Sequence, residues 1–363
     1  MQLHRWVGLA VGLFFLLSCV SGAILVFEKE LDPLIYRNHY RHLSSPEGAA
    51  LPLDALIHMA RAYAAPSPLK QMSISADFPE QSNLIFVTEG GRLERTSLAL
   101  HPVTGQLVSR IQGNRHLFTF TEEFHRRLLM DSLGKKITGL LCLAYMLILM
   151  TGLVIWWPKN KKVMKQRLKI KWDASRKRLN WDIHAVGGFY ALPLLLLMCL
   201  TALTWSYKSF ENGIYYLFDG TPKPKEEKIS LKKVSSDGNA FIYQNIYNHA
   251  LRISGKNQPI SITVDERHDG LIHLNIDDDE YFFNASTAKI HSRTILADQS
   301  TGTRVRNYME PLHTGSEFGF IGKSVYLLVV LFGAALPVTG FYIWLGRKKK
   351  KKKPILARQQ SVC

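Results

Sequence analysis

Four stretches of this 363-residue chain are long enough to cross a bilayer and almost free of charge: Leu3–Phe27, Ile137–Trp157, Ile183–Tyr207 and Ser324–Leu345. About 20 residues at 1.5 Å per residue span a hydrocarbon core of about 30 Å. Inside that core no water can bond a peptide group, so each stretch must satisfy its backbone internally as a helix. The expected fold class is therefore an integral membrane, all-α four-helix bundle. Its spans fall in residues 1–27, 121–157, 181–207 and 311–345, the second and fourth including an extension on the outer side. Two polar regions, 28–120 and 208–310, are each long enough for a small domain.

Charge placement orients the bundle. The connection 158–180 carries ten Lys or Arg against Asp173 alone, and the tail 346–363 carries eight with no acid. These two segments account for the whole formal charge of +17. Short basic connections stay in the cytoplasm, which places both termini inside and both polar regions outside. Trp6, Trp156, Trp157, Trp181 and Trp344 fall near the expected inner interface, and Trp205 near the outer one. The basic segments are read as topogenic charge attracted to anionic lipid headgroups, in preference to a docking site for an acidic donor protein or nucleic acid.

The chain repeats itself. His4-Arg5-Trp6-Val7-Gly8 through Gly22 aligns without gaps on His184-Ala185-Val186-Gly187-Gly188 through Ala202, 180 residues later. His125, Gly134-Lys135, Thr151-Gly152 and Trp156 align with His313, Gly322-Lys323, Thr339-Gly340 and Trp344, 188 residues later. One unit is helix, outer region, helix, and two units make parallel repeats about an axis along the membrane normal. The repeat also opposes reading the first segment as a cleaved signal ending at Cys19, because Cys199 is its counterpart within the third span. Both cysteines are read as helix packing.

The repeat pairs histidines at two depths. His4 and His184 stand at inner helix ends, His125 and His313 at or above outer ones. A lone histidine at a helix end is usually interfacial, but matched pairs facing one axis suit axial ligation of iron. Two b-type haems, each held by two histidines, are expected: His4 with His184, and His125 with His313. Covalent attachment is excluded, since no Cys-x-x-Cys-His run exists. Gly8, Gly12, Gly134, Gly187, Gly188 and Gly322 are read as making room for a flat macrocycle.

Both outer regions read as small α+β modules. The first has a helix at 53–64, then strands at 73–75, 84–88, 93–100 and 106–111. The second has a helix at 239–252, then strands at 260–264, 271–276, 280–284 and 289–295. The run Asp277-Asp278-Asp279-Glu280 reads as a solvated β-turn in preference to a metal site, and His249, His268, His273 and His291 as incidental.

Several motifs in order resemble the PepSY-associated transmembrane family. They are His4-Arg5-Trp6-Val7-Gly8-Leu9, Phe124-His125-Arg126-Arg127, Thr151-Gly152 to Trp157-Pro158, Asn180-Trp181-Asp182-Ile183-His184 and Leu312-His313-Thr314-Gly315. The strand-turn-strand around Val103-Thr104-Gly105-Gln106 looks like a PepSY domain; the second outer region has Asn284-Ala285-Ser286-Thr287 in place of its Thr-Gly turn. The resemblance implies two PepSY-like periplasmic domains and a haem-containing inner-membrane oxidoreductase, similar to bacterial ferric-siderophore reductases. His4, His125, His184 and His313 match its ligand positions. With no nucleotide-binding pattern and only a short inner loop, the donor is a separate cytoplasmic reductase or membrane quinol. The acceptor is a ferric siderophore or another oxidised species in the periplasm. Two other readings compete: a haem-free envelope module that binds or regulates a partner, and a transporter, for which the spans offer no mid-membrane acid or base.

Overall fold

The computed structural model describes residues 2–42, 48–158, 160–224, 241–254, 258–264 and 270–351. The tail beyond residue 351, His268 and the start of the helix expected at Asn239 lie outside the described residues. The first half of the chain forms α1 (Gln2–Leu25), α2 (Glu28–Ile35), α3 (Arg37–Tyr40), α4 (Leu53–Ala64), β1 (Leu69–Ile74), β2 (Leu84–Thr88), β3 (Thr96–Leu100), β4 (Leu107–Gln112), α5 (Leu117–Arg127) and α6 (Asp131–Trp156). Then come α7 (Lys161–Arg167), α8 (Arg176–Asp182), α9 (Gly188–Ser206), α10 (Lys208–Asp219), α11 (Ile242–Ser254), β5 (Ile260–Thr263), β6 (Leu271–Ile276), β7 (Asp279–Asn284) and β8 (Ile290–Thr294). Last are α12 (Thr301–Asn307), α13 (Met309–Thr314) and α14 (Gly319–Lys351).

The chain divides into two compact units, residues 1–27, 124–213 and 307–363 in one, and 28–123 and 214–306 in the other. The first unit holds four helices long and apolar enough to cross a membrane: Gln2–Leu25, Asp131–Trp156, Arg176–Ser206 and Ser316–Gly346. α1 packs on α6 and α14, and α9 packs on the same two. The buried cluster between them mixes small residues such as Cys142, Ala191 and Cys199 with Tyr145, Leu149, Leu195 and Leu203. α1 buries only Gly12, Cys19 and Ser21. A Cβ on Gly139 of α6 would lie 2.7 Å from the Tyr207 ring, so only glycine admits that approach. Cys142 donates to the Cys199 carbonyl at 3.3 Å, and the described cysteines are free. Leu13, Leu140, Val154 and Leu328 are 60–75% exposed on the outer faces of these helices, where hydrocarbon takes the place of a protein core.

The second unit is a single eight-stranded antiparallel sheet in the order β4-β3-β2-β1-β5-β6-β7-β8. The two outer regions, expected as separate modules, are thus joined through β1 and β5, with Met72 opposite Ile262 and Ile74 opposite Ile260. β1 starts at Leu69, four residues before the expected strand, because β2 pairs with Leu69 and both β2 and β5 pair with Gln71 and Met72. Residues 93–95, expected as strand, belong to the turn that precedes β3. α4 buries Leu53, Leu56, Ile57, Ala60 and Ala64, one stripe at helical spacing. α11 adds Ile242, Ile246 and Ala250 to the same hydrophobic core. The two helices also cap reciprocally: Asp54 accepts the Tyr243 and Gln244 N–H groups at 3.1 and 3.0 Å, and Gln244 Oε1 accepts the Leu53 N–H at 3.0 Å.

Each half contains the same turn. His101 Nδ1 accepts the N–H groups of Val103 and Thr104, and Gly105 takes φ +68. Asn284 Oδ1 accepts those of Ser286 and Thr287, and Ala288 takes φ +52. The substituted turn in the second region therefore keeps its geometry. The acidic run is a tight hairpin: Asp277 has φ +54 between β6 and β7, and Asp279 accepts the Leu296 N–H at 2.9 Å.

Candidate functional site

The four expected histidines all fall in the helical unit, and they meet in the expected pairs. His4 is in the first turn of α1. Its Nδ1 lies 3.1 Å from the Ile148 carbonyl and 3.1 Å from Thr151 Oγ1, both on α6. Thr151 spends its own proton on the Leu147 carbonyl at 2.7 Å, so its oxygen is left to accept. Nδ1 then carries the imidazole proton, and the lone pair falls on Nε2. His184 repeats this, with Nδ1 3.1 Å from the Leu336 carbonyl and 2.9 Å from Thr339 Oγ1. Thr339 donates to the Ala335 carbonyl at 2.8 Å. The two ring centres are 6.3 Å apart with their planes at 80°.

His184 lies within a π-helical turn, Ile183–Gly187, at the head of α9. Such single-turn widenings re-aim side chains and recur at functional sites. Asp182 just before it is buried and ion-paired with Arg178 at 2.9 Å, and it accepts the Lys171 N–H. The described residues of the loop before the third span are thereby tied to the start of that span.

The pair His125 and His313 uses hydroxyls on α1 and α9. His125, in the last turn of α5, has Nδ1 2.9 Å from Ser21 Oγ, and Ser21 donates to the Leu17 carbonyl at 2.8 Å. His313, in α13, has Nδ1 2.8 Å from Thr201 Oγ1, and Thr201 donates to the Leu197 carbonyl at 2.9 Å. These ring centres are 6.4 Å apart with planes at 66°, and Trp205 abuts His313 edge-on at 5.3 Å. The chain reverses after each of these histidines. Leu128, Leu129 and Asp131 do so at positive φ, where the second half uses Gly315 and Gly319.

A cavity of about 230 Å³ opens beside the inner pair. Its lining includes His4 and His184, the glycines Gly8, Gly12, Gly152, Gly188 and Gly340, and the aromatic residues Phe15, Tyr145, Trp156 and Phe189. The glycines sort into two jobs. A Cβ on Gly152 would lie 3.2 Å from His4 Cε1, one on Gly340 3.2 Å from His184 Cε1, and one on Gly22 3.3 Å from His125 Cε1. These three let the imidazoles pack against a bare helix backbone. Gly134 and Gly322, expected to clear space for a macrocycle, instead permit the backbone reversals: a Cβ there would fall on the carbonyls of Arg127 and Gly315.

Among the described residues no three His, Cys, Asp or Glu side chains converge as a multi-ligand metal centre would. His249 packs on Phe283 and His273 on Phe282, as ordinary ring contacts. Sequence reasoning missed one histidine cluster in the sheet unit. His39 is 3% exposed, bonded by Nδ1 to Ser109 Oγ at 3.1 Å and by Nε2 to Ser97 Oγ at 2.8 Å. Burial, with His116 nearby, pulls its pKa down to about 4. His116 pairs with Asp32 at 2.8 Å and stacks on Tyr36. Tyr40 donates to the other Asp32 oxygen at 2.6 Å.

Comparison with known families gives one result. The family described as the PepSY-associated TM region matches residues 1–347, nearly the whole chain, and the chain belongs to it. No curated protein matches the sequence.

Proposed function

With membership of this membrane family as the premise, we propose that the chain is a di-haem oxidoreductase. It carries electrons from the cytoplasmic side or the quinol pool to an oxidised acceptor in the periplasm. The observation that carries this reading is the spacing of the two histidine pairs. A metal–imidazole bond of about 2.0–2.1 Å, plus about 1.1 Å from nitrogen to ring centre, puts two axial imidazoles about 6.3 Å apart centre to centre. The pairs stand at 6.3 and 6.4 Å. Four Nδ1 atoms held by hydroxyls or carbonyls leave four Nε2 lone pairs for ligation, and a hydrogen bond at the other ring nitrogen is what fixes a ligating histidine. The glycine-lined, aromatic-walled cavity beside His4 and His184 suits a flat apolar ring.

Haem, when bound, supplies reversible one-electron chemistry at its iron. The protein's part is to hold and orient it: His4 and His184 at one level, His125 and His313 at the other. Thr151, Thr339, Ser21 and Thr201 set the tautomer and the ring direction. Along α1, His4 and Ser21 are seventeen residues apart, so the two levels are separated by about 25 Å of helix. That is most of a bilayer's hydrocarbon thickness. The basic connection and tail favour an inner-membrane orientation with both termini cytoplasmic and the sheet unit periplasmic, the histidine pairs being arranged as parallel repeats.

The acceptor the reading favours is a ferric siderophore. One electron converts Fe(III) to Fe(II), which hard oxygen chelators hold less well, and the metal is released. The test uses the full-length, haem-loaded chain in liposomes, with quinol as donor and a ferric siderophore outside beside an Fe(II)-specific chromogenic chelator. Coloured Fe(II) chelate should form, and His4→Ala should slow it at least about tenfold. Haem that is reduced by quinol yet yields no Fe(II) would rule out this acceptor.

A further inference from the structure

The inner cavity contains two donors that the histidine pair does not use. Arg5 Nε and Trp156 Nε1 are both buried, and neither has a hydrogen-bond partner. Both residues line the cavity with His4 and His184. Trp156 is only 6% exposed and is fixed by its stack on Phe189, at 3.8 Å and 10°. Arg5 follows His4 directly; one of its terminal nitrogens bonds Gln2, and its guanidinium lies over the Trp6 ring at 5.0 Å. Buried donors without acceptors imply an acceptor that arrives with a ligand. One guanidinium and one indole N–H together suit a carboxylate.

We infer that Arg5 and Trp156 form the anchor for a carboxylate on the edge of the macrocycle held by His4 and His184, and that they fix which way round it sits. The inference rests on the haem reading above and deepens it. The argument for a fixed orientation is the asymmetry between the halves. The position matching Arg5 is Ala185, which has no charge to offer. Arg178, the arginine nearest that end of the third span, is committed to Asp182 at 2.9 Å. Among the described residues that line the cavity Arg5 is thus the one Lys or Arg, and a ring with its acidic edge at one end has one preferred placement.

The test compares protohaem with its dimethyl ester, which has the same ring and iron but no free carboxylate. The full-length apo chain carrying His313→Ala, which leaves the inner pair intact, is titrated with each. Protohaem should bind at least about tenfold more tightly than the ester, Arg5→Met should bring the two within about twofold, and Trp156→Phe should give an intermediate ratio because it keeps an aromatic ring against Phe189 and removes the N–H. Equal binding of acid and ester would overturn the anchor while leaving the haem reading intact. No binding of protohaem by this chain or by wild type would instead sink the haem reading. A second readout does not depend on the His313 background. In the wild-type chain loaded with two haems, Arg5→Met should lower one midpoint potential and not the other, by about 59 mV for each tenfold bias toward the oxidised form. Two unchanged potentials would count against the anchor.

Discussion

At the scale of single residues, each of the four histidines is held through Nδ1 by a hydroxyl on a neighbouring helix. Thr151, Thr339, Ser21 and Thr201 each spend their proton on a carbonyl three or four residues back and accept from an imidazole with the oxygen that remains. Loss of that hydroxyl frees the ring to rotate and change tautomer, and losing the partner of a ligating histidine costs about 10- to 100-fold in metal affinity. Thr151→Val should therefore release the inner haem during dilution or dialysis while leaving the outer one, with haem counted per chain. Gly152→Val should act by sterics, since even its Cβ would stand 3.2 Å from His4; the expected count is one haem. The histidine pairs are legible in the sequence through the repeat alone. The hydroxyls and Gly22 are not, because Ser, Thr and Gly are common in membrane helices, and only the fold shows which of them face a ring.

At the scale of elements, the informative case is the edge of the sheet where α3 meets β3 and β4. His39 sits there neutral, bonded to Ser97 and Ser109. Its folded pKa of about 4 lies below the ordinary 6.5, so the unfolded chain binds the proton more readily. Stability from this group is present above pH 6.5 and is lost as pH falls toward 4, by up to about 3 kcal/mol. Protection factors of the β3 and β4 amides in the full-length protein, each taken relative to the intrinsic exchange rate at the same pH, should fall across that window, and His39→Gln should flatten the dependence. An unchanged slope in the variant would assign the effect elsewhere. The turns were partly legible. Turns at Val103-Thr104-Gly105 and at 285–288 are both expected from the sequence; that the second has the geometry of the first is not, because Ala288 at positive φ stands where the first has a glycine and is held by the Asn284 cap.

At the scale of the whole molecule, two regions some 190 residues apart build one sheet. Residues 73–75 and 260–264 read as strands, but the sequence cannot name their partners, since register and pairing are set by long-range packing. That is why the sequence reads as two modules where β1 and β5 make one. A cavity in the shared core should then be felt in both halves. Ile262→Ala, at a fully buried position opposite Met72, should cost about 2–5 kcal/mol and accelerate exchange in β2 as well as β6. Loss of protection confined to β5–β8 would point to two independent bodies. The four spans were legible throughout, because a bilayer leaves a long apolar segment no alternative to helix.

Whether the two histidine pairs hold two haems is decided by haem stoichiometry in single-histidine variants. The reduced-minus-oxidised visible spectrum, with haem quantified per chain, is recorded for wild type and for His4→Ala, His184→Ala, His125→Ala and His313→Ala. Wild type should carry two haems. His4→Ala and His184→Ala should lose the same one, and His125→Ala and His313→Ala the other. A colourless wild-type chain purified from haem-replete cells, or four variants that all retain two haems, would contradict that assignment.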